Sequence, residues 1–82
     1  MNVTYFSTPT CGPCKMFKPT VQEVSSELGI SVRYVDCSID SITAQQYVVT
    51  AVPTIIITDN NFQPVKRHTG VMSKQQLKQF LS

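Results

Sequence analysis

Two cysteines separated by two residues carry the clearest chemical signal in this sequence. They lie in the segment Thr10-Cys11-Gly12-Pro13-Cys14-Lys15. Exchange of a dithiol with a disulfide requires one ionised thiol and a second thiol close enough to expel the partner. If a helix begins at Cys11, its free amides and the positive end of its dipole lower the pKa of that thiol. We therefore predict that Cys11 is the nucleophile and that Cys14, one turn further on, is the resolving thiol.

The residues around the two cysteines fit the same chemistry. Lys15 places a positive charge near the sulfur of Cys11, which favours the thiolate. Pro13 suits the first turn of a helix, where an amide has no partner within the helix.

The spacing alone leaves two alternatives open. A C-x-x-C pair is also half of a zinc site, which needs two further Cys or His ligands. Only Cys37 and His68 remain in the sequence, and they form no second paired motif. The other alternative is a structural pair, because free cysteines are often buried as small apolar residues. We rank both below redox exchange.

The elements that position this segment follow from the hydrophobic pattern. Runs of β-branched and aromatic residues predict strands at 3–6, 31–35, 54–58 and 63–69. Apolar residues spaced by three and four predict helices at 11–28, 40–48 and 73–81. The first two strands are joined through a helix, so we expect them to be parallel, and the isoleucine run predicts a central strand buried on both faces. The predicted fold class is α/β, with a mixed four-stranded sheet and three flanking helices in one domain, residues 1–82.

The helices are expected to pack through one apolar face each. Gly29 is expected to end the first helix, and Ser73 with Gln76 forms a capping-box signature at the start of the last. The residues at helical spacing are Phe17, Val21, Val24 and Leu28 in the first helix, Ile42, Gln45 or Gln46, and Val49 in the second, and Leu77, Phe80 and Leu81 in the third.

Composition excludes several classes of function. The chain of 82 residues is 41% hydrophobic, and its formal net charge is +2 with scattered lysines and arginines. That distribution predicts no nucleic-acid partner. No apolar run approaches the ~20 residues of a membrane span, and the N-terminus lacks the basic region of a signal peptide. We expect a cytoplasmic monomer with no membrane partner, no cofactor and no bound metal.

Three segments, in the right order, resemble the thioredoxin family. The run from Cys11 to Met16 looks like the thioredoxin active site, and Ala51-Val52-Pro53-Thr54 looks like its cis-proline loop. The stretch from Thr69 to Lys74 resembles the family's C-terminal glycine and last helix. The resemblance implies a thioredoxin-like fold, a protein-disulfide reductase and a cis Val52–Pro53 peptide bond. It also implies that Val52, Pro53 and Gly70 contact the substrate.

Other features depart from thioredoxins. The run from Tyr5 to Cys11 resembles glutaredoxins and glutaredoxin-like donors to ribonucleotide reductase, and Thr10 stands where thioredoxins carry tryptophan. The Asp and Lys that thioredoxins place under the disulfide correspond to Tyr5 and Tyr34. Tyrosine, with a pKa near 10, is a poor base at pH 7, so we expect Cys14 to lose its proton to water or to the substrate thiolate. The supporting residues of the site are then Gly12, Pro13, Lys15, Thr10 and Tyr5.

Partners are implied by the resemblance as well. Residues 70–73 contain no acidic residue, whereas glutaredoxins use one there to bind glutathione. This favours a flavoprotein thioredoxin reductase as the reductant and proteins such as ribonucleotide reductase as substrates. A glutathione-dependent glutaredoxin and a C-x-x-C metal-binding module remain the alternatives. We expect Cys37 to be a half-buried small residue and His68 to lie on a solvated face of the last strand.

Overall fold

The computed structural model describes all 82 residues and has the predicted order β-α-β-α-β-β-α. One mixed sheet of four strands is flanked by three helices, which confirms the predicted fold class. No helix is both long and apolar enough to cross a membrane. The strands are β1 (Asn2–Ser7), β2 (Val32–Asp36), β3 (Thr54–Thr58) and β4 (Pro64–Thr69), and the helices are α1 (Gly12–Leu28), α2 (Ser41–Gln46) and α3 (Lys74–Leu81).

The strands lie in the order β2-β1-β3-β4. As predicted, β1 and β2 are parallel, with Val3 opposite Val32. Strand β3 is antiparallel to both β1 and β4. All five residues of β3 are buried, because a neighbour covers each of its edges and helices cover both of its faces. This confirms the isoleucine run as a central strand.

The core consists of two clusters on opposite faces of the sheet, since alternate strand residues point to opposite sides. One cluster joins β1 and β3 to α1 and α3, and the other joins them to β2 and α2. The first contains Val3, Tyr5, Phe17, Val21, Val24, Ile55, Ile57, Leu77 and Leu81. The second contains Phe6, Val35, Ala44 and Ile56.

Helix α1 has the predicted ends. Cys11 is its N-cap, and Gly29 ends it in a left-handed conformation at φ 67°, which glycine adopts without steric cost. The predicted buried face holds except at Leu28, which is 42% exposed. Leu28 is the last residue of the helix, and the chain turns at Gly29, so Ile30 packs against the core instead.

Helix α2 is shorter than predicted. The side chain of Asp40 caps it by accepting from the amide of Thr43 at 3.1 Å, and the helix ends at Gln46. Ile42 belongs to the predicted helical pattern but is 69% exposed, and Ala44 is the buried residue of the helix. Ile42 and Val49 cannot share one helical face when the helix ends before the second of them. Val49 packs on the second cluster from the loop that follows.

Helix α3 begins with the predicted capping box between Ser73 and Gln76. Leu77 and Leu81 are buried, and Phe80 packs against the core while partly exposed. Helix α3 also approaches α1 through ion pairs of Lys74 with two glutamates. These ion pairs are exposed and contribute little to stability. Burial of the two leucines therefore holds the helix in place.

Candidate active site

Three segments meet at one edge of the sheet because β1 and β3 run in opposite directions. The cysteine segment follows the end of β1, and Pro53 precedes the start of β3, where Thr54 lies opposite Phe6. Thr69, at the end of β4, lies opposite Thr54, so Gly70 reaches the same edge. There the amide of Gly70 donates to the carbonyl of Pro53 at 2.9 Å. The topology thus brings all three sequence-predicted segments to one end of the molecule.

Cys11 and Cys14 form a disulfide, with a Cα–Cα distance of 5.2 Å. Cys11 has extended backbone angles, and its Sγ accepts a hydrogen bond from the amide of Cys14 at 3.1 Å. A sulfur at this position meets the free amides and positive dipole end of α1, which stabilise a thiolate after reduction. Cys11 is half-buried, whereas Cys14 is only 2% exposed. Cys11 is therefore the sulfur that an incoming disulfide can reach.

The other residues of the first turn are exposed. Pro13 occupies the second helical position, where its missing amide leaves no gap in the hydrogen-bond pattern. Lys15 lies on the surface, and its amide donates to the carbonyl of Cys11 at 3.3 Å. Gly12 and Thr10 are also exposed. These residues shape the approach to Cys11.

The loop before β3 presents a free peptide edge. The Val52–Pro53 bond is cis, and Pro53 is buried while Val52 is half-buried. The hydroxyl of Thr54 donates to the carbonyl of Ala51 at 2.7 Å and closes the turn. The amide and carbonyl of Val52 make no hydrogen bond within the protein. Both groups are available to another extended chain.

Tyr5 lies directly beneath the active-site helix. Its hydroxyl, fully buried, donates to the carbonyl of Cys14 at 2.9 Å, and its ring packs edge-on against Phe17 and Tyr34. Burial, with a smaller contribution from Tyr34, raises the pKa of Tyr5 to about 12. The hydroxyl is therefore neutral at pH 7 and acts as a donor. Tyr34, the other residue that the resemblance placed under the disulfide, lies on the edge strand β2 and is 38% exposed.

Tyr5→Phe is expected to lower the free energy of unfolding by about 1–2 kcal/mol at pH 7, because a buried carbonyl loses its donor. A tyrosine ionises near pH 10 in the unfolded chain but at about 12 in the folded one. Wild type should therefore lose stability as the pH rises from 10 through 12, and the variant should lack this part of the loss. Urea unfolding at pH 7 and pH 11 measures both effects.

The matched control is Tyr47→Phe, because the hydroxyl of Tyr47 makes only a long, exposed bond of 3.5 Å to the carbonyl of Phe62. We expect that change to shift stability by less than about 0.5 kcal/mol. Equal losses in the two variants would contradict a specific role for the bond between Tyr5 and Cys14.

A groove of ≈260 Å³ lies beside Cys14 and was not predicted from the sequence. Lys18 lines it, with its Nζ 5.1 Å from the centre of the Tyr34 ring. Lys18 follows Cys14 by four residues, and this spacing places both residues on one face of the helix. The spacing is visible in the sequence and could have indicated Lys18 as a neighbour of Cys14. The groove is lined by Ser7, Thr8, Pro9, Cys14, Lys15, Lys18, Tyr34, Val35 and Asp36.

Cys37 and His68 take no part in the Cys11–Cys14 disulfide. Cys37 is half-buried against the second cluster, as predicted, and burial followed by the charge of Asp36 raises the pKa of its thiol. The prediction of a solvated face for His68 is wrong, since its half-buried ring packs edge-on against Phe80 at 6.3 Å. No group of three or more His, Cys, Asp or Glu side chains is arranged to hold a metal ion.

Comparison with known proteins agrees with this geometry. The thioredoxin family model matches residues 1–82. A thioredoxin from Haemophilus influenzae is 34% identical over 79 residues, which cover 94% of this chain and 73% of that protein. A bifunctional thioredoxin reductase/thioredoxin from Mycobacterium leprae is 36% identical over 74 residues, covering 88% of this chain and 16% of that protein. The structure of thioredoxin 1 from Thermosipho africanus superposes with a TM-score of 0.86 at 27% identity, covering 99% of this chain and 90% of that one.

The family match extends over every element and includes the Cys11–Cys14 pair. Thioredoxins are thiol–disulfide oxidoreductases, and the two cysteines at the start of α1 provide the dithiol that this chemistry needs. The chain therefore belongs to the thioredoxin family and is an enzyme of dithiol–disulfide exchange.

Proposed function

We propose that this protein reduces disulfides in other proteins, with Cys11 as the nucleophile and Cys14 as the resolving thiol. The observation that carries the proposal is the pairing of a half-buried Cys11 sulfur at a helix start with a buried Cys14 that closes on it. The accessible sulfur meets the substrate, and the buried one is protected from it.

The exchange takes place in two steps. The Cys11 thiolate attacks one sulfur of the substrate disulfide, which forms a mixed disulfide and releases the other substrate sulfur as a thiolate. The Cys14 thiolate then attacks the sulfur of Cys11, so that the intramolecular disulfide forms and the second substrate sulfur leaves. Two electrons pass to the substrate, and its two thiolates take up protons.

A protein substrate suits the surface around Cys11. The unpaired amide and carbonyl of Val52 can add an extended substrate segment by main-chain hydrogen bonds. Pro53 and Gly70, joined by their own hydrogen bond, hold the loop that presents Val52. Two apolar side chains near the site, Met16 and Val71, are 78% and 53% exposed and offer contact area that a small thiol does not need.

A flavoprotein thioredoxin reductase is the proposed reductant. Glutathione would bind at residues 70–73, but no acidic residue is present there. The polar groups of Ser73 are also engaged, since its hydroxyl accepts from the amide of Gln76 and its amide donates to the Gln76 side chain. A protein from Mycobacterium leprae that joins a reductase and a thioredoxin in one chain gives the pairing a precedent.

We expect NADPH consumption with thioredoxin reductase and insulin to exceed that with glutathione and glutathione reductase by at least about tenfold. An affinity difference of ~1.4 kcal/mol between the two reductants suffices for that ratio. Both assays use the same concentration of protein and of insulin, and Cys11→Ser is the blank. Faster turnover with glutathione would reject the proposed reductant while leaving dithiol exchange intact.

Ribonucleotide reductase is the first natural substrate to test, because residues 5–11 resemble donors to that enzyme. The free thiol of Cys37 and the reducible pair suit a reducing compartment such as the cytoplasm. The assay replaces insulin with oxidised ribonucleotide reductase and measures deoxyribonucleotide formation.

A further inference from the structure

The second step of the exchange needs a thiolate at a buried sulfur. Cys14 is 2% exposed, and burial disfavours the charged form of a thiol. Its proton must leave before the sulfur can attack Cys11 and displace the substrate sulfur. Some group near Cys14 must therefore either take the proton or stabilise the charge that remains.

The buried side chain that hydrogen-bonds to Cys14 does neither. Tyr5 has its pKa raised to about 12, so it cannot accept a proton near pH 7. Its hydroxyl donates to the carbonyl of Cys14. The carboxylate of Asp36 lines the groove, but one oxygen already accepts from the amide of Ser38 at 2.9 Å and from its hydroxyl at 2.6 Å. A carboxylate would in any case raise the pKa of a neighbouring thiol.

The groove provides a positive charge instead. Lys18 and Cys14 both line it and are four residues apart on α1, so their side chains lie on the same helix face. The ammonium group of Lys18 is held 5.1 Å from the centre of the Tyr34 ring, which also lines the groove. A cation over an aromatic face is held there by the ring quadrupole. Tyr34 in turn packs edge-on against the buried Tyr5.

We propose that Lys18 is a positioning residue for the resolving step: its ammonium group, held over Tyr34 at the groove, stabilises the Cys14 thiolate. The proton of Cys14 passes through the groove to water. The thiolate then attacks Cys11, the new disulfide forms, and the substrate thiolate leaves and is protonated. The role of Lys18 rests on the proposed assignment of Cys14 as the resolving thiol.

Lys15 is the other lysine that lines the groove. It follows Cys11 by four residues, as Lys18 follows Cys14, so the two lysines repeat one spacing one turn apart. Cys11 is the N-cap and lies outside the helix, whereas Cys14 and Lys18 are both helical, so we assign the resolving step to Lys18. The charged and titratable groups around the groove are Lys15, Lys18, Tyr34, Asp36 and, beneath it, Tyr5.

The test measures the pKa of Cys14 directly, from thiolate absorbance against pH in a background that carries Cys11→Ser and Cys37→Ser. In that background Lys18→Gln should raise the pKa of Cys14 by about half a unit to one unit, as expected for a partly screened charge one helical turn away. Lys18→Arg should restore most of the lower value. In about 1 M NaCl, where the screening length is ~3 Å, the difference should shrink.

In the protein with all three cysteines, stopped-flow release of the second substrate thiol reports the resolving step. A higher pKa reduces the thiolate fraction but increases intrinsic nucleophilicity, so Lys18→Gln should slow this step about two- to fourfold at pH 7. The step should recover at higher pH, and the initial attack by Cys11 should be unaffected. A merely structural role for Lys18 would not move the pH profile.

The remote control is Lys66→Gln, because Lys66 makes the same kind of contact with Phe80, at 5.3 Å, away from the cysteines. It should leave the pKa of Cys14 unchanged. The proposal is overturned if Lys18→Gln leaves that pKa unchanged or lowers it, or if Lys66→Gln raises it equally. Because the pKa measurement does not depend on turnover, it separates failure of this role from failure of the Cys11 and Cys14 assignment.

Discussion

Cys11→Ser is expected to reduce disulfide-reductase activity to the background of the assay. Serine presents a hydroxyl that is not ionised near neutral pH and cannot form a disulfide, so no mixed disulfide with the substrate arises. The fold should persist, because Cys11 is a half-buried N-cap and serine is a favoured residue at that position. NADPH consumption with thioredoxin reductase and insulin measures the loss.

Cys14→Ser should give a different result from the same kind of change. Cys11 can still attack, but nothing resolves the adduct, so one mixed disulfide per molecule should accumulate and turnover should stop. Mass spectrometry of the trapped complex identifies the linked cysteine. An adduct trapped on Cys14 in the Cys11→Ser variant, with none on Cys11 in the Cys14→Ser variant, would reverse the two roles.

Cys37→Ser is the matched control, because it makes the same chemical change at the third cysteine. Cys37 is half-buried, packs against the second core cluster, and has a raised pKa, all of which disfavour a thiolate. We expect this variant to retain nearly full activity. A large loss would indicate that Cys37 takes part in the exchange.

The sequence predicted the fold well wherever local and long-range preferences agree. The isoleucine run of β3 favours a strand by β-propensity, and burial on both faces imposes the same structure. The glycine at position 29 specifies a helix end through its backbone conformation, and the capping box at Ser73 specifies a helix start through hydrogen bonds within one turn. These elements could therefore be predicted without knowing which residues pack against them.

The predictions failed where tertiary contacts determine which side chains are buried. Ile42 matches a helical pattern, yet Ala44 is buried because α2 ends at Gln46 and only the small residue faces the sheet. His68 is polar, yet its ring meets Phe80, a residue of another element. Neither contact can be predicted from the residues that are adjacent in the sequence.

The candidate site shows the same division. The cysteine pair and its place at a helix start follow from spacing, and the resemblance added Pro53 and Gly70. The hydrogen bond from Tyr5 to the carbonyl of Cys14, by contrast, links residues nine positions apart through the packing of α1 on β1. The exposure of Tyr34 also depends on where β2 lies, at the edge of the sheet.

Phe17→Ala is expected to cost about 3–5 kcal/mol of the free energy of unfolding, the largest stability loss that we predict for a single substitution here. Phe17 is 1% exposed in the larger core cluster, and its ring packs edge-on against Tyr5 at 5.9 Å. A domain of this size has a total stability of roughly 4–12 kcal/mol, so much of the variant should unfold. Chemical denaturation by urea, followed by circular dichroism, measures the loss.

Met16→Ala tests whether that loss comes from core packing or from helix α1 itself. Met16 precedes Phe17 on the same helix but is 78% exposed, so its truncation should change stability by less than about 0.5 kcal/mol. Because Phe17 supports Tyr5, and Tyr5 holds the carbonyl of Cys14, the Phe17 variant should also expose the buried resolving thiol. Cys14 in reduced protein should then react faster with an alkylating reagent than in wild type or Met16→Ala. A loss below about 1 kcal/mol for Phe17→Ala, with unchanged alkylation of Cys14, would show that the core beneath the site does not depend on this ring.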